Sequence, residues 1–301
     1  MCCEVYKKIS LYLVFDKNEL ASCLPKTETL VPINSATTCG ENIGQLSYYC
    51  ELRAQYWVWR NLPRSWNSFV GFFHYRRYLD FTGISNQAKN HRMPYRFLKS
   101  PDIKEYTSQK LWPILCDYDV VAPMAEYTGI PVWIRYSNSA GHTLRELILA
   151  RKSIERRFPN FLGSFDTYLT GMSEYYCNMF VMRETYFDQY CEWLFTILGD
   201  VKNEVNCELG EKTLGYLGER LFGVYYTKCL QEKALRCLEV PRAHFWIYDD
   251  ATHHFKRNRF LYTFLPPGSK RLAWIRQRMQ KKTTYREDEY ETYFNNCDSD
   301  L

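Results

Sequence analysis

The sequence predicts an α/β fold built around a mostly parallel central sheet. Short apolar runs rich in β-branched and aromatic residues alternate along the chain with longer stretches of helical period, the order that β-α-β crossovers produce. Those runs are continuously apolar, as in strands covered on both faces. Hydrophobic residues make up 46% and charged residues 24% of the 301, an ordinary globular balance with material for a sizeable core.

Ile9–Phe15 reads as a first buried strand, ended by Asp16-Lys17-Asn18, and Leu30–Ile33 as a second, shorter one. Residues 34–44 are polar and contain glycine, hence a loop. Within Tyr48–Asn61, residues Tyr49, Leu52, Tyr56 and Trp59 share a helical face, and Pro63 stops the helix. Ser68–Phe73 is an apolar strand that runs straight into His74-Tyr75-Arg76-Arg77-Tyr78-Leu79-Asp80. Residues 82–104 are polar and basic and predict a flexible loop. Tyr118–Pro123 and Cys177–Met182 read as buried strands. Ala140–Arg157, Glu184–Leu198 and Thr213–Cys229 read as helices.

Composition excludes several classes. No apolar stretch approaches the ~20 residues that span a bilayer, and Met1–Ser10 has no apolar signal-peptide core. The expected setting is therefore cytoplasmic, with the 12 cysteines reduced and several of them buried as small hydrophobes. No nucleophile-elbow, P-loop, dinucleotide or zincin motif is present. The net charge of +5 is polarised: residues 256–286 hold ten Lys/Arg and no Asp/Glu, and residues 287–301 hold six acids and no base. Aromatic residues (Phe260, Tyr262, Phe264, Trp274) are interleaved in the basic segment, which suits an anionic membrane surface, nucleic acid, or no partner at all, as a solvated helical segment covering the main domain.

The densest chemical constellation is His74 to Asp80. Ligands in open α/β sheets bind at the carboxyl ends of strands, and Arg76 and Arg77 there can grip a diphosphate through paired charge-assisted hydrogen bonds. Asn42 and Glu51 flank a loop and a helix start, where backbone N–H groups can meet a nucleotide; Glu51 as a dipole-favoured acid reads equally well. Asp117-Tyr118-Asp119 matches a D-x-D metal pattern, but precedes its strand, and a capped strand start is favoured. Asp249-Asp250 is a second acid pair. Glu219 and His142 are general-base candidates, with an ion pair as the competing reading for Glu219.

Seven motifs in order resemble one family. They are Gly40-Glu-Asn-Ile; Tyr49-Cys-Glu-Leu with Tyr56-Trp-Val-Trp; Val70-Gly-Phe-Phe-His-Tyr-Arg-Arg-Tyr; Tyr118-Asp-Val-Val-Ala-Pro; Asn178-Met-Phe-Val-Met; Tyr190-Cys-Glu-Trp-Leu-Phe; and Gly215-Tyr-Leu-Gly-Glu-Arg-Leu. Over roughly residues 8–230 the chain resembles the bacterial capsule and exopolysaccharide glycosyltransferase family long described as a domain of unknown function and marked by its His-Tyr-Arg-Arg motif. The resemblance implies a GT-A-like nucleotide-sugar fold, with some members similar to galactofuranosyltransferases. It implies that Asn42, Glu51, His74, Arg76, Arg77 and Asp80 line the donor site, that Asn178 sits near sugar or acceptor, and that Glu219 first and His142 second take the acceptor proton. Two positions depart from the family pattern: Phe15-Asp16-Lys17 stands for Thr-His-Lys, and Lys212 for an arginine.

The expectation is a glycosyltransferase using a nucleoside-diphosphate donor, a UDP-sugar such as UDP-galactofuranose, and a glycan or lipid-linked glycan acceptor in capsule, exopolysaccharide or lipopolysaccharide synthesis. The rival readings are a nucleic-acid-binding protein using residues 256–286, which is not favoured, and an inactive glycan-binding protein. No cofactor is expected; were Mn²⁺ or Mg²⁺ required, Asp80, Asp117, Asp119 and Asp249 would be the ligand candidates. The expected layout is a domain over 1–240, a basic aromatic extension over 241–286 that could hold the protein at the inner face of the plasma membrane, and a disordered acidic tail over 287–301.

Overall fold

β1 (Ile9–Phe15) is buried along all seven residues, which requires a neighbour on each edge and a layer on each face. β2 (Leu30–Asn34) and β3 (Phe69–His74) flank it in parallel, with Leu11 opposite both Leu30 and Gly71. The computed structural model describes residues 8–63, 68–82, 94–205, 209–245, 264–265, 269–279 and 285–295. Beyond β3 the sheet continues through β9 (Phe180–Arg183), antiparallel, then β6 (Val120–Pro123) and β10 (Cys237–Val240). At the end of β3 the chain reverses through Tyr75-Arg76 into β4 (Arg77–Leu79), which pairs with β11 (Arg242–Phe245), itself beside β5 (Tyr95–Leu98). The nine-stranded sheet is mixed, with four parallel and four antiparallel pairings. β7 (Glu126–Tyr127) and β8 (Ser173–Glu174) form a separate ribbon.

Alternation along the strands feeds two cores. Tyr12, Val14, Val70, Phe72, Phe180 and Met182 face the helical layer of α1 (Leu52–Asn61), α3 (Val132–Ser137), α4 (Leu144–Arg157), α5 (Leu162–Thr170), α6 (Glu184–Glu204) and α7 (Thr213–Gln231). Leu11, Leu13, Phe73, Val121 and Val181 face the other way, onto Leu111 and Leu115 of α2 (Ser108–Leu115) and onto Tyr106. α7 lies unusually close to the start of α1, because it presents glycines there. A Cβ on Gly215 would sit 2.7 Å from Cys50 Cβ and Sγ, and one on Gly218 2.5 Å from Leu52 Cδ1.

Three sequence expectations change. Residues 82–104 are not simply a loop, since β5 is a sheet strand within them. The division at 240 falls between β10 and β11, two strands of the same sheet, so the domain runs past it. The acidic tail is not simply disordered: α9 (Tyr290–Asn295) buries Tyr290 and Phe294 against Trp133, and Tyr290 Oη donates to Asp166 at 2.8 Å. One helical turn separates these two rings, which is why a segment so acidic still packs. α8 (Lys270–Met279) is docked through Leu272, Ala273 and a bond from Gln277 Nε2 to the Gly129 carbonyl. Among the described residues no helix is long and apolar enough to cross a membrane.

Candidate active site

The carboxyl ends of β1, β2 and β3 open into a cleft of about 350 Å³. Its floor is Val14-Phe15-Asp16, one wall is the His74–Arg77 hairpin, and the other is formed by Cys50 and Glu51 with the start of α7. Arg76 is a tip residue of the two-residue turn and Arg77 opens β4, with its Nη1 3.6 Å from Cys177 Sγ. Lys212 adds a third cation from the residue just before α7.

The anionic side is assembled by one asparagine. Asn178 Nδ2 donates to Glu51 Oε1 at 2.8 Å and to the Gly215 carbonyl at 3.1 Å, and its own carbonyl accepts from Gln55 Nε2 at 2.9 Å. Gln55 is one helical turn beyond Glu51, so α1 grips the 177–178 turn at two points. Cys177 N–H donates to Glu219 Oε1 at 2.8 Å, and Arg220 Nη2 donates to Glu219 Oε2 at 2.8 Å. His74 Nε2 lies 2.9 Å from the Cys177 carbonyl oxygen, to which it donates, and 3.7 Å from Glu51 Oε1. The close approach that Gly215 permits is what brings these groups into one place.

Backbone strain is concentrated here. Among the described residues the four non-glycine positions with positive φ are Cys50 (50°), Cys177 (78°), Asn178 (47°) and Lys212 (75°), all lining the cleft or holding its wall. Such conformations cost about 1–3 kcal/mol each and persist where the surroundings over-determine them, which is common at functional sites. Burial also shapes the electrostatics. It raises the carboxyls of Glu51 and Glu219 above their ordinary range, against the pull of Asn178 and Arg220 respectively. Burial, with Arg77 nearby, lowers His74 to about 4, so its imidazole is neutral at pH 7.

Of the residues singled out by sequence, Glu51, His74, Arg76, Arg77 and Glu219 line the cleft, and Asn178 ties its wall together. Others are elsewhere. Asn42 knits its own loop, with Nδ2 donating to the Thr38 and Gly40 carbonyls and Oδ1 accepting from Gly44 N–H. Asp80 is buried, bonded to Thr82 and paired with Arg96 at 2.6 Å; the hairpin has by then carried the chain away from the cleft. Asp117 is exposed, and Asp119 binds Arg183 at 2.9 Å and the Arg236 N–H at 2.9 Å, at the start of β6 and thus at the opposite end of the sheet. His142 sits in a side pocket with Arg135, Glu174 and Arg220, its ring between Tyr136 (4.4 Å) and Tyr216 (4.5 Å). It is thus not among the residues that line the cleft, although Tyr216, packed against its ring, is. Asp249 lies outside the described residues.

Sequence reasoning noted Asp16 and Lys212 only as departures from a pattern, and missed Tyr216 and Arg53. Lys212, Gly215, Tyr216 and Glu219 recur at helical spacing, a signal that could have placed them on one face. Arg53 is structural, its guanidinium fixing the Cys50 and Gly44 carbonyls and Ser35 Oγ.

Comparison with solved structures finds a match to the apo structure of the WbbM bifunctional glycosyltransferase, with a TM-score of 0.68 at 24% identity, over 79% of this chain and 45% of that one. The chain thus spans under half the length of that protein, and the likeness is one of α/β, GT-A-like fold. No curated protein gives a significant match. Residues 15–232 match a family model described as a domain of unknown function, DUF4422, and the chain belongs to that family.

Proposed function

We propose that this chain is a glycosyltransferase that binds a nucleoside-diphosphate sugar in the β1–β3 cleft and transfers the sugar to a glycan. The observation that carries the reading is the convergence of Arg76, Arg77 and Lys212 with the half-buried carboxylates Glu51 and Glu219 at the carboxyl ends of parallel strands. The structural neighbour, WbbM, is itself named a glycosyltransferase, which supports the same activity here. In the reaction the acceptor hydroxyl oxygen bonds to the anomeric carbon as the bond from that carbon to the diphosphate breaks. The nucleoside diphosphate leaves with the electron pair, and Arg76, Arg77 and Lys212 stabilise its growing charge. Glu219, with its proton affinity raised by burial, accepts the hydroxyl proton. Glu51, tied to Asn178, is placed to accept hydrogen bonds from donor hydroxyls. The cationic wall supplies the charge compensation that a divalent ion gives other nucleotide-sugar enzymes, so the reaction is proposed to need no metal. The donor class is UDP-sugars, with UDP-galactofuranose among the first to test, and the acceptor a lipid-linked glycan of a surface polysaccharide. A thermal-shift panel of UDP-, GDP-, dTDP- and CMP-sugars tests this, because a ligand that binds only the native state raises the midpoint. Stabilisation by one nucleotide class supports the reading. No shift with any of them, at concentrations well above ordinary donor affinities, refutes it.

A further inference from the structure

The outer face of α8 has a chemistry of its own. Its inner side is docked, with Leu272 and Ala273 buried and Gln277 bonded to the Gly129 carbonyl. Lys270, Arg271, Trp274 and Arg278 fall within about 100° of one another on the helical wheel, on the side away from the buried Leu272 and Ala273 and with Gln277 flanking Lys270, and all four are exposed. Trp274 is 51% exposed, and Arg278 Cζ stands 4.2 Å from its ring centroid. Phe264, just ahead of the helix in sequence, is 57% exposed. The helix carries no acid, and neither does any position from 256 to 286, against ten Lys/Arg. A docked helix with cations and an indole on its free side has the make-up of a segment that lies in a membrane interface, where indoles settle at headgroup depth and cations meet lipid phosphates.

We infer that this face of α8 rests on an anionic lipid surface, with Lys270, Arg271 and Arg278 at the phosphates and Trp274 among the headgroups. The inference stands independently of glycosyl transfer, since lipid binding needs nothing from the cleft. Its placement nevertheless suits that reading. Gly129 follows β7, whose ribbon partner β8 carries Glu174; Glu174 pairs with Arg220, and Arg220 with Glu219 in the cleft. A short chain of contacts therefore links the docking point of α8 to the reacting end of the molecule, where an acceptor carried on lipid would arrive.

Nucleic acid could use the same cations and stack a base on an indole, but Arg278 already lies over the Trp274 ring, and the test separates the two. Full-length protein is sedimented with phosphatidylcholine vesicles and with vesicles in which a third of the lipid is phosphatidylglycerol, at low and high salt. Binding is expected only to the anionic vesicles and is expected to fall with salt. The triple variant Lys270→Ala, Arg271→Ala, Arg278→Ala should weaken it by roughly a hundredfold, from about a fivefold loss per cation. Trp274→Ala should weaken it several-fold without changing the salt dependence, and Trp274→Phe less. All four positions are exposed, so the fold should survive, and circular dichroism checks that it does. Failure of the parent protein to bind anionic vesicles at low salt overturns the inference. So does unchanged binding in the triple variant. Displacement of the vesicles by excess polyuridylate RNA, with no effect of Trp274→Ala, would overturn it in favour of a nucleic-acid surface.

Discussion

Replacing Asn178 probes how the cleft wall is held, because two distinct effects can be separated there. In Asn178→Ala the side-chain bonds to Glu51 Oε1 (2.8 Å) and to the Gly215 carbonyl (3.1 Å) are lost, while the backbone bond from Gln55 remains. A hydrogen bond to a charged acceptor is worth about 1.5–3 kcal/mol and a neutral one about 0.5–1.5 kcal/mol. Alanine also tolerates the left-handed backbone at this residue, φ 47°, less well than asparagine, at roughly 1 kcal/mol more. The alanine variant should therefore lose about 3–5 kcal/mol. Asn178→Gly loses the same two bonds but relieves the strain, so it should be about 1 kcal/mol more stable than alanine. Urea unfolding followed by tryptophan fluorescence measures both, with unchanged slopes needed for a fair comparison. An alanine variant as stable as the parent would refute the bonding argument, and a glycine variant less stable than alanine would refute the strain argument.

Four further outcomes follow from the site. Arg76→Ala and Arg77→Ala should each weaken UDP binding by about 1.5–3 kcal/mol, with Arg→Lys only a partial rescue because the paired fork is lost; calorimetry that finds both alanine variants at parental affinity sinks the diphosphate assignment. Glu219→Gln keeps an acceptor for Cys177 N–H yet cannot take a proton, so turnover should fall roughly 10²–10⁴-fold with donor affinity intact, and near-normal turnover would make Glu219 purely structural. His74 is lowered to about 4 when folded, so its contribution to stability is present above pH 6.5 and is lost as pH falls towards 4, up to about 3 kcal/mol. Glu51 and Glu219, raised by burial, act in the opposite sense, contributing stability at low pH that is lost as pH rises through their raised values; the His74→Gln variant should lose the first component alone, and identical pH profiles for variant and parent would contradict this. Activity should survive EDTA; loss on chelation with recovery on adding Mn²⁺ would overturn the metal-free mechanism and direct attention to the acids lining the cleft, Asp16 and Glu211 among them.

The strand content of the first half of the fold was legible because buried strands write themselves as apolar runs, as Ile9–Phe15 and Ser68–Phe73 do. The arginine pair was legible for the same reason, since charge directly after such a run marks a strand end. Asp80, in the same stretch, was misplaced because nothing local announces that Tyr75-Arg76 is a reversal. Once the chain turns back, each residue beyond Arg77 is one step farther from the cleft. His142 shows a different limit. Its position at a helix start suited a base, but its partners Tyr136 and Tyr216 come from two other elements, and only their packing sets it outside the cleft lining. β5, β11 and α9 escaped because each is short, flanked by charge, and held by distant partners instead of its own period.

The pairing of β4 with β11 reaches beyond mechanism. The family match ends at residue 232, yet β4, which begins at Arg77, is paired along its length with Arg242–His244. Arg242 also reaches Cys177 Sγ at 3.2 Å and pairs with Glu126. The inherited module and the unit that folds are therefore not the same length of chain. A protein ending at residue 232 would leave β4 and β6 as raw sheet edges, open to pairing with other molecules, and its arginine turn would have lost one of its two backbone supports. Changes in the stretch just past the module can therefore alter the support of the Arg76–Arg77 turn with every motif residue left intact.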